Sequence, residues 1–528
     1  MKKLLLSFGI LACLMGFIQS CHKKDVLNPA PIQDVPSISV SAEVTNRLQA
    51  DFAKVLAKAL KADPELRAYL KAEAIKQFDK DYDVLVQLVK DQPINGYASL
   101  QERLDSYADS PAQITSIETQ LPLLTIYVPS LPSGFSAKTW NTQTQIPVVA
   151  VSRRGDNNVP YYDATGKEEI IEHGLVPGFP VVVIKENERV VVTTASAAAR
   201  TDAALLVTQN QQFRFSFTDA SFDGRDHSAA RLFIPNLFPT PTDPGGMDPR
   251  VANALAVETN APNTPVGAIW QRDYIYYGIG EFNPATNTYN TRGPININYR
   301  EYIRSMKFSV DAYVKLSDQT EDDPKVPYFK TSESAPSWTE GKYEIKVIAL
   351  TNSRDGTGPN FTRTFTVDPS DAFNIHYRLR LPGLYEFSTI TAKEFYPFSE
   401  LVTWDLEYVT MGWKIFFYEN DPSGTETIRH THSTTRAINF ELNVPTGEKV
   451  KVGGKLGFSS STNDSQEHTI TRNLGDDFLG EAILSFSDPV VLVTGQLGSL
   501  PLGFTYEING GGSTAFVFAS IEPHKWRN

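Results

Sequence analysis

The hydrophobic positions change period along the chain. From Ser41 to about Tyr107 they recur at three- and four-residue steps, so that Val44, Leu48, Phe52, Val55, Leu56 and Ala59 fall on one helical face. Asp63-Pro64 sets a capping residue before a proline suited to the first helical turn, which predicts a second helix carrying Leu66, Tyr69, Leu70 and Ile75. A short helical segment over Tyr82–Val89 and another after Ser99, with Glu102 completing a capping box, finish a helical layer. Leu121–Val128, Pro147–Val151 and Val181–Thr194 then read as strands. The last predicts a hairpin, with Lys185-Glu-Asn-Glu188 as its polar turn, and Asp163-Ala-Thr-Gly166 is a further turn.

Beyond residue 198 the periodicity is lost. A proline- and glycine-rich run, IPNLFPTPTDPGG, has loop chemistry; Asp248-Pro249 predicts a short helix to Glu258, and Trp270–Ile279 is aromatic and strand-like. From Lys307 onward a two-residue period dominates. Tyr343, Ile345 and Val347 alternate with Lys342, Glu344 and Lys346; Phe373, Ile375, Tyr377, Leu379 and Leu381 alternate with Asn374, His376, Arg378 and Arg380. Similar runs at 404–408, 413–417, 438–444, 450–458, 483–486, 490–493 and 515–519 are separated by turn signals. The expected fold is α+β, mainly β. An N-terminal helical layer with a small β unit occupies residues 41–197, a loop-rich mixed connector 198–306, and a large antiparallel β-sandwich or jelly-roll-like domain 307–528.

The first forty residues follow other rules. Lys2 and Lys3 precede an apolar run, Leu4–Ile18, of fifteen residues, short of the ~20 that a spanning helix needs. Residues 1–20 therefore read as a signal peptide. Ile18-Gln19-Ser20-Cys21 resembles the lipobox of bacterial lipoproteins, although Gln19 stands where a small residue is usual. The resemblance implies processing to an N-terminal Cys21 that carries acyl chains and holds the protein on the cell envelope, at the outer membrane. Residues 21–40, with LNPAPIQDVPS, have neither period and form an extended tether. Only Asp25 answers to the acidic cluster of surface-exported lipoproteins, so the sequence leaves periplasmic and surface orientations open.

Charge and cysteine count narrow the functional classes. Without Lys2 and Lys3 the chain has 47 basic against 61 acidic residues, a net charge of −14, which disfavours nucleic acid as a partner. Cys13 lies inside the signal peptide, so Cys21 is the one cysteine expected in the mature chain and no internal disulfide or cysteine nucleophile is available. His430-Thr-His432 is the sharpest local signal, because residues two apart on a strand share a face and two imidazoles there suit Zn²⁺ or Fe²⁺, with Glu467 and His468 as candidate ligands from another strand. Gly424 with this pair resembles the opening of the cupin motif, but Arg436 and Ala437 stand where the cupin glutamate is expected. Glu321-Asp322-Asp323, Asp421 and Asp476-Asp477 are acidic loop positions suited to Ca²⁺, and residues 476–486 faintly resemble a late strand of C2 domains. The chain has no His-Glu-x-x-His, Gly-x-Ser-x-Gly or phosphate-binding glycine loop. The expected function is a non-catalytic binding or assembly module of the envelope, with a glycan or envelope protein as partner. The alternative is a lipid-tethered hydrolase acting on polysaccharide or peptide.

Overall fold

The computed structural model describes residues 41–153, 158–194, 205–210, 212–225, 279–283, 288–291, 299–317, 337–353, 360–402, 409–420, 425–434, 440–443, 449–452, 464–473, 476–485, 491–496, 504–508 and 516–525. The fold is α+β and mainly β. Helices α1 (Ala42–Ala62) and α2 (Pro64–Ile75) are followed by β1 (Asp83–Leu85), α3 (Val86–Val89), α4 (Leu100–Asp105) and α5 (Gln113–Gln120). Strands β2 (Leu124–Tyr127), β3 (Val148–Val151), β4 (Val159–Tyr162), β5 (Glu168–Ile171), β6 (Leu175–Pro177), β7 (Val181–Glu186), β8 (Val190–Thr194), β9 (Leu206–Gln209) and β10 (Phe213–Phe217) complete the first half.

In the second half come β11 (Ile279–Asn283), β12 (Thr288–Thr291), β13 (Tyr299–Phe308), α6 (Ala312–Ser317), β14 (Tyr343–Ser353), β15 (Asn360–Val367) and α7 (Pro369–Ala372). They are followed by β16 (Phe373–Leu381), β17 (Leu384–Ala392), β18 (Glu394–Phe395), β19 (Ser399–Val402), β20 (Val409–Glu419), β21 (Thr425–Thr434), β22 (Phe440–Asn443) and β23 (Lys449–Val452). The last strands are β24 (Asp464–Asn473), β25 (Phe478–Ser485), β26 (Val491–Gln496), β27 (Phe504–Ile508) and β28 (Val517–Lys525).

The helical starts follow their capping chemistry. Asp63 accepts hydrogen bonds from the Glu65 and Leu66 amides at 3.0 Å each, which ends α1 and begins α2 in one residue. Ser99 accepts from the Glu102 amide while Glu102 reaches back to the Ala98 amide, as a capping box requires. The apolar face of α1 packs on the six-stranded sheet ordered β1-β2-β7-β3-β4-β5, in which only β3 and β7 run parallel. Phe52, Val55 and Leu56 meet Ile126, Val149 and Val182 in this core. The sequence Tyr82–Val89, expected as helix, instead starts with β1 and turns helical only at Val86, because Asp83–Leu85 completes the edge of this sheet.

A second core lies in the C-terminal half. Sheet β15-β14-β20-β25 contributes Ile345, Val347, Trp413, Ile415 and Phe417, which alternate along their strands. They pack against β13 and its partners β18, β19 and β28, with Tyr313 of α6 and Phe373 and Phe387 of the β16–β17 hairpin between them. The opposite face of the same sheet carries Ile348, Leu350, Phe416 and Tyr418, against which Ile470 of β24 packs. Two sheets with a sandwiched core and a further ribbon outside one of them give the sandwich-like architecture.

The two halves are joined by strand pairing. The hairpin β16–β17 extends out of the C-terminal core and adds β6 of the N-terminal half to its edge, with Tyr385 opposite Val176. Strand β10, within the stretch read as connector, pairs with β8 on one side and β9 on the other, and packs Phe213, Phe215 and Phe217 on Leu85. The expected helix at Asp248–Glu258 and the expected strands at Trp270–Ile279 and 404–408 lie outside the described residues, except for Ile279, which opens β11.

Trp413 is fully buried at the centre of the sandwich core. Trp413→Ala is expected to lower unfolding free energy by about 3–5 kcal/mol, read as a fall in the denaturant midpoint of the C-terminal half.

Candidate functional site

The stretch expected to be a polar hairpin turn has buried charged and polar side chains. Strand β7 pairs with β2 and β3, whereas β8 pairs with β10, so Val181–Thr194 is no hairpin but a strand that passes from one sheet to another. Its crossover residues are sealed inside. Lys185, Asn187 and Arg189 are each no more than 3% exposed, and they alternate along the chain as the strand period demands. Facing them is a second alternating set, Asp79, Asp81 and Asp83, all equally buried.

Each cation is enclosed by oxygens from several elements. Arg189 donates to Glu344 of β14, to Asp81 Oδ2 at 3.4 Å and to the carbonyls of Asp79 and Lys342 at 3.1 and 3.0 Å. Lys185 donates to Glu188 Oε1 at 3.0 Å and to the Glu340 carbonyl at 2.6 Å, and lies 3.5 Å from Asp83 Oδ2. Asn187 Nδ2 donates to Asp79 Oδ2 at 2.7 Å and to Asp83 Oδ2 at 3.4 Å. From the C-terminal half, the Lys342 amide donates to Asp81 Oδ2 at 2.7 Å, and Asn420 Nδ2 donates to Glu344 Oε2 at 3.2 Å. Gly341 permits this approach: its φ is +111°, and a β-carbon there would lie 2.1 Å from Asp81 Oδ2.

Burial sets the electrostatics of the cluster. Desolvation pushes Asp79 up and Asp83 well up from the usual carboxylate range, against the pull of Arg189 on the first and Lys185 on the second. Desolvation likewise pushes Glu344 up to about 7 despite Arg189 beside it. For Lys185 and Arg189, burial alone would lower basicity, but the surrounding carboxylates outweigh it and hold both above their ordinary values. A second buried acid stands apart on α5. Glu118 is 2% exposed, 3.5 Å from Lys90 Nζ, and desolvation raises it to about 7. Through ions shared between elements, the network fastens the N-terminal sheet to β14 across the seam of the molecule.

The residues singled out from the sequence fall elsewhere. Cys21 lies outside the described residues. His430 and His432 are on β21, whose backbone is described, while their side chains lie outside the described residues. Of the acidic loop positions, 321–323 and 421 lie outside the described residues; Asp476 pairs with Lys346 at 3.1 Å and Asp477 with Lys315 at 3.0 Å. Among the described residues no group of three or more His, Cys, Asp or Glu side chains is placed to hold a metal ion, and no helix is long and apolar enough to cross a membrane. Trp140, Trp338 and Trp413 are all buried in cores. The seam cluster is not apparent locally because Lys185-Glu-Asn-Glu188 has the polarity of a hairpin turn; the alternation of Asp79, Asp81 and Asp83, and of Lys185, Asn187 and Arg189, is the sequence signal that marks it. No protein-family model, curated protein or solved structure matches the chain.

Removing one member of the network strands its partners. Arg189→Ala is expected to destabilise by about 3–5 kcal/mol in denaturant titration, and adding Glu344→Leu to Arg189→Met should recover most of the loss. The raised acids also give a pH slope. Their folded-state values lie above their unfolded ones, so their contribution is intact below about 4.5 and is lost as pH rises toward about 7. The melting temperature should therefore fall over that interval, and Glu118→Gln should flatten the fall in a calorimetric pH series.

Proposed function

We propose that this chain is a lipid-anchored protein of the bacterial cell envelope whose folded body binds an extended segment of a partner protein, as a non-catalytic assembly module. The anchor rests on the leader and Cys21, and on an acidic body that has no electrostatic attraction of its own to an anionic bilayer. One observation carries the binding reading. In the order β16-β17-β6, β16 is the outermost strand among the described residues, and the side chains of its distal half are exposed. Leu379 and Leu381 are 63% and 51% exposed there, with exposed Arg378 and Arg380 alternating between them.

An edge strand of this kind offers unpaired backbone groups to a further strand, with pockets for alternate side chains. The occupant favoured is an extended peptide alternating apolar and acidic residues. Arg378 and Arg380 share the single carboxylate of Glu386, which leaves a local positive excess on an otherwise acidic chain. The seam network and the β6–β17 pairing supply the rigidity such an edge needs, because they fix the hairpin to both halves.

Two measurements test the reading separately. Cys21→Ser should abolish incorporation of radioactive palmitate and release the protein from the membrane fraction; retained labelling overturns the anchor. Cross-linking from position 376, also exposed on β16, in intact envelopes should capture a protein partner, and Leu379→Lys with Leu381→Lys should reduce capture by about tenfold. Unchanged capture in that variant overturns the edge as the binding surface.

A further inference from the structure

Asp83 is poorly satisfied within the buried network. Its carboxyl is sealed from water, yet Oδ1 accepts no hydrogen bond. Oδ2 has long contacts, to Asn187 Nδ2 at 3.4 Å and to Lys185 Nζ at 3.5 Å. A buried carboxylate ordinarily gathers short, charge-assisted hydrogen bonds, and one that lacks them calls for an explanation. Lys185 is equally dry but firmly held, through Glu188 Oε1 at 3.0 Å and the Glu340 carbonyl at 2.6 Å.

The sheet register brings the pair together. Asp83 of β1 lies opposite Tyr127 of β2, which lies opposite Val183 of β7, and Lys185 follows two residues on with its side chain on the same face. Its side chain reaches past β2, with Nζ 5.0 Å from the centre of the Tyr127 ring. Strand β1 is three residues long, stands at the end of the sheet order and pairs with β2 alone among the described strands. A bond from Asp83 to Lys185 would fasten this short edge strand across its neighbour.

We propose that Lys185 Nζ and Asp83 Cγ condense into an intramolecular amide, with Glu188 as the acid-base partner, so that β1 and β7 become covalently joined. Burial favours the acid form of Asp83, which is the form that can lose water. Glu188 takes one proton from the Lys185 ammonium, a transfer over 3.0 Å that removes two opposite charges and separates none. The freed amine attacks Cγ, and charge gathers on Oδ2, toward which the Asn187 amide donates. The Cγ–Oδ1 bond then breaks, and Oδ1 leaves as water with its own proton and a second one from Nζ. One proton stays on the amide nitrogen and one on Glu188, so the atoms balance without oxidant or reductant. The product replaces two buried charges by a neutral amide, which relieves the desolvation that both carry. This site is independent of the β16 edge and of the lipid anchor.

The test is peptide mass spectrometry on the full-length chain, purified folded, then denatured and digested with trypsin. Lys185 in an amide is no longer a cleavage site, so residues 81–90 should appear joined to residues 168–189, lighter than the two together by one water. Fragment ions should place the bond between Asp83 and Lys185. Lys185→Arg keeps the cation and should release residues 81–90 as a free peptide. Glu188→Gln keeps both reacting side chains and should slow linkage by at least about a hundredfold in a time course after synthesis. The native chain carries the test by itself, because the variants disturb a buried network. Recovery of residues 81–90 from the native chain wholly as free peptide overturns the proposal. Water loss mapped to another pair of residues, or linkage at the native rate in Glu188→Gln, overturns it equally.

Discussion

The structure depends on ions kept out of water. Arg189 and Lys185 sit where three buried aspartates, Glu344 and several backbone carbonyls converge, and each cation is shared between elements far apart in sequence. An isolated ion in such a place would be prohibitively costly, so the arrangement is stable only when both halves of the molecule are present and correctly oriented. The network therefore acts less as a source of net stabilisation than as a condition on geometry: the N-terminal sheet and β14 fit together in the way that satisfies these charges. Gly341, with its left-handed backbone against Asp81, is the steric counterpart of the same condition.

Around this seam the two cores are built by different periodicities. The helical stripe of α1 covers one face of the six-stranded sheet, and the two-residue alternation of β14 and β20 sends Trp413, Ile415 and Phe417 to one side and Phe416 and Tyr418 to the other. Both faces of the C-terminal sheet are apolar, which is why a third layer, the β21–β24 ribbon, lies on it. The same β14 strand that feeds the core with its odd positions presents Glu344 to Arg189 with an even one. One strand thus serves packing and the ionic lock through its alternation.

The hairpin β16–β17 is the second tie, made by backbone pairing rather than charge. Its base belongs to the sandwich core and its tip pairs with β6 through Leu384–Glu386, while Leu379 and Leu381 of the outer strand stay exposed. A hairpin held at base and tip has little conformational freedom left to lose on binding, and that is the physical basis for proposing a role in assembly for its edge. The buried seam holds the edge in place.

Much of this was legible in the residues alone. The α+β character, the helix starts at Ser41, Asp63 and Ser99, the turn at Asp163 and the alternating strands of the C-terminal half follow from local capping and from short-range period, which depend on neighbours a few residues away. The proposal of a leader ending at Cys21 rests on the same kind of local pattern. What only the tertiary structure decided are the partnerships: that Lys185-Glu-Asn-Glu188 is a crossover and not a turn, that β8 pairs with β10, that Asp81 meets Arg189 across more than a hundred residues, and that His468 stands opposite His430. A charged residue looks the same in sequence whether water or another ion solvates it. The choice is made by residues distant in the chain, so no local pattern contains it.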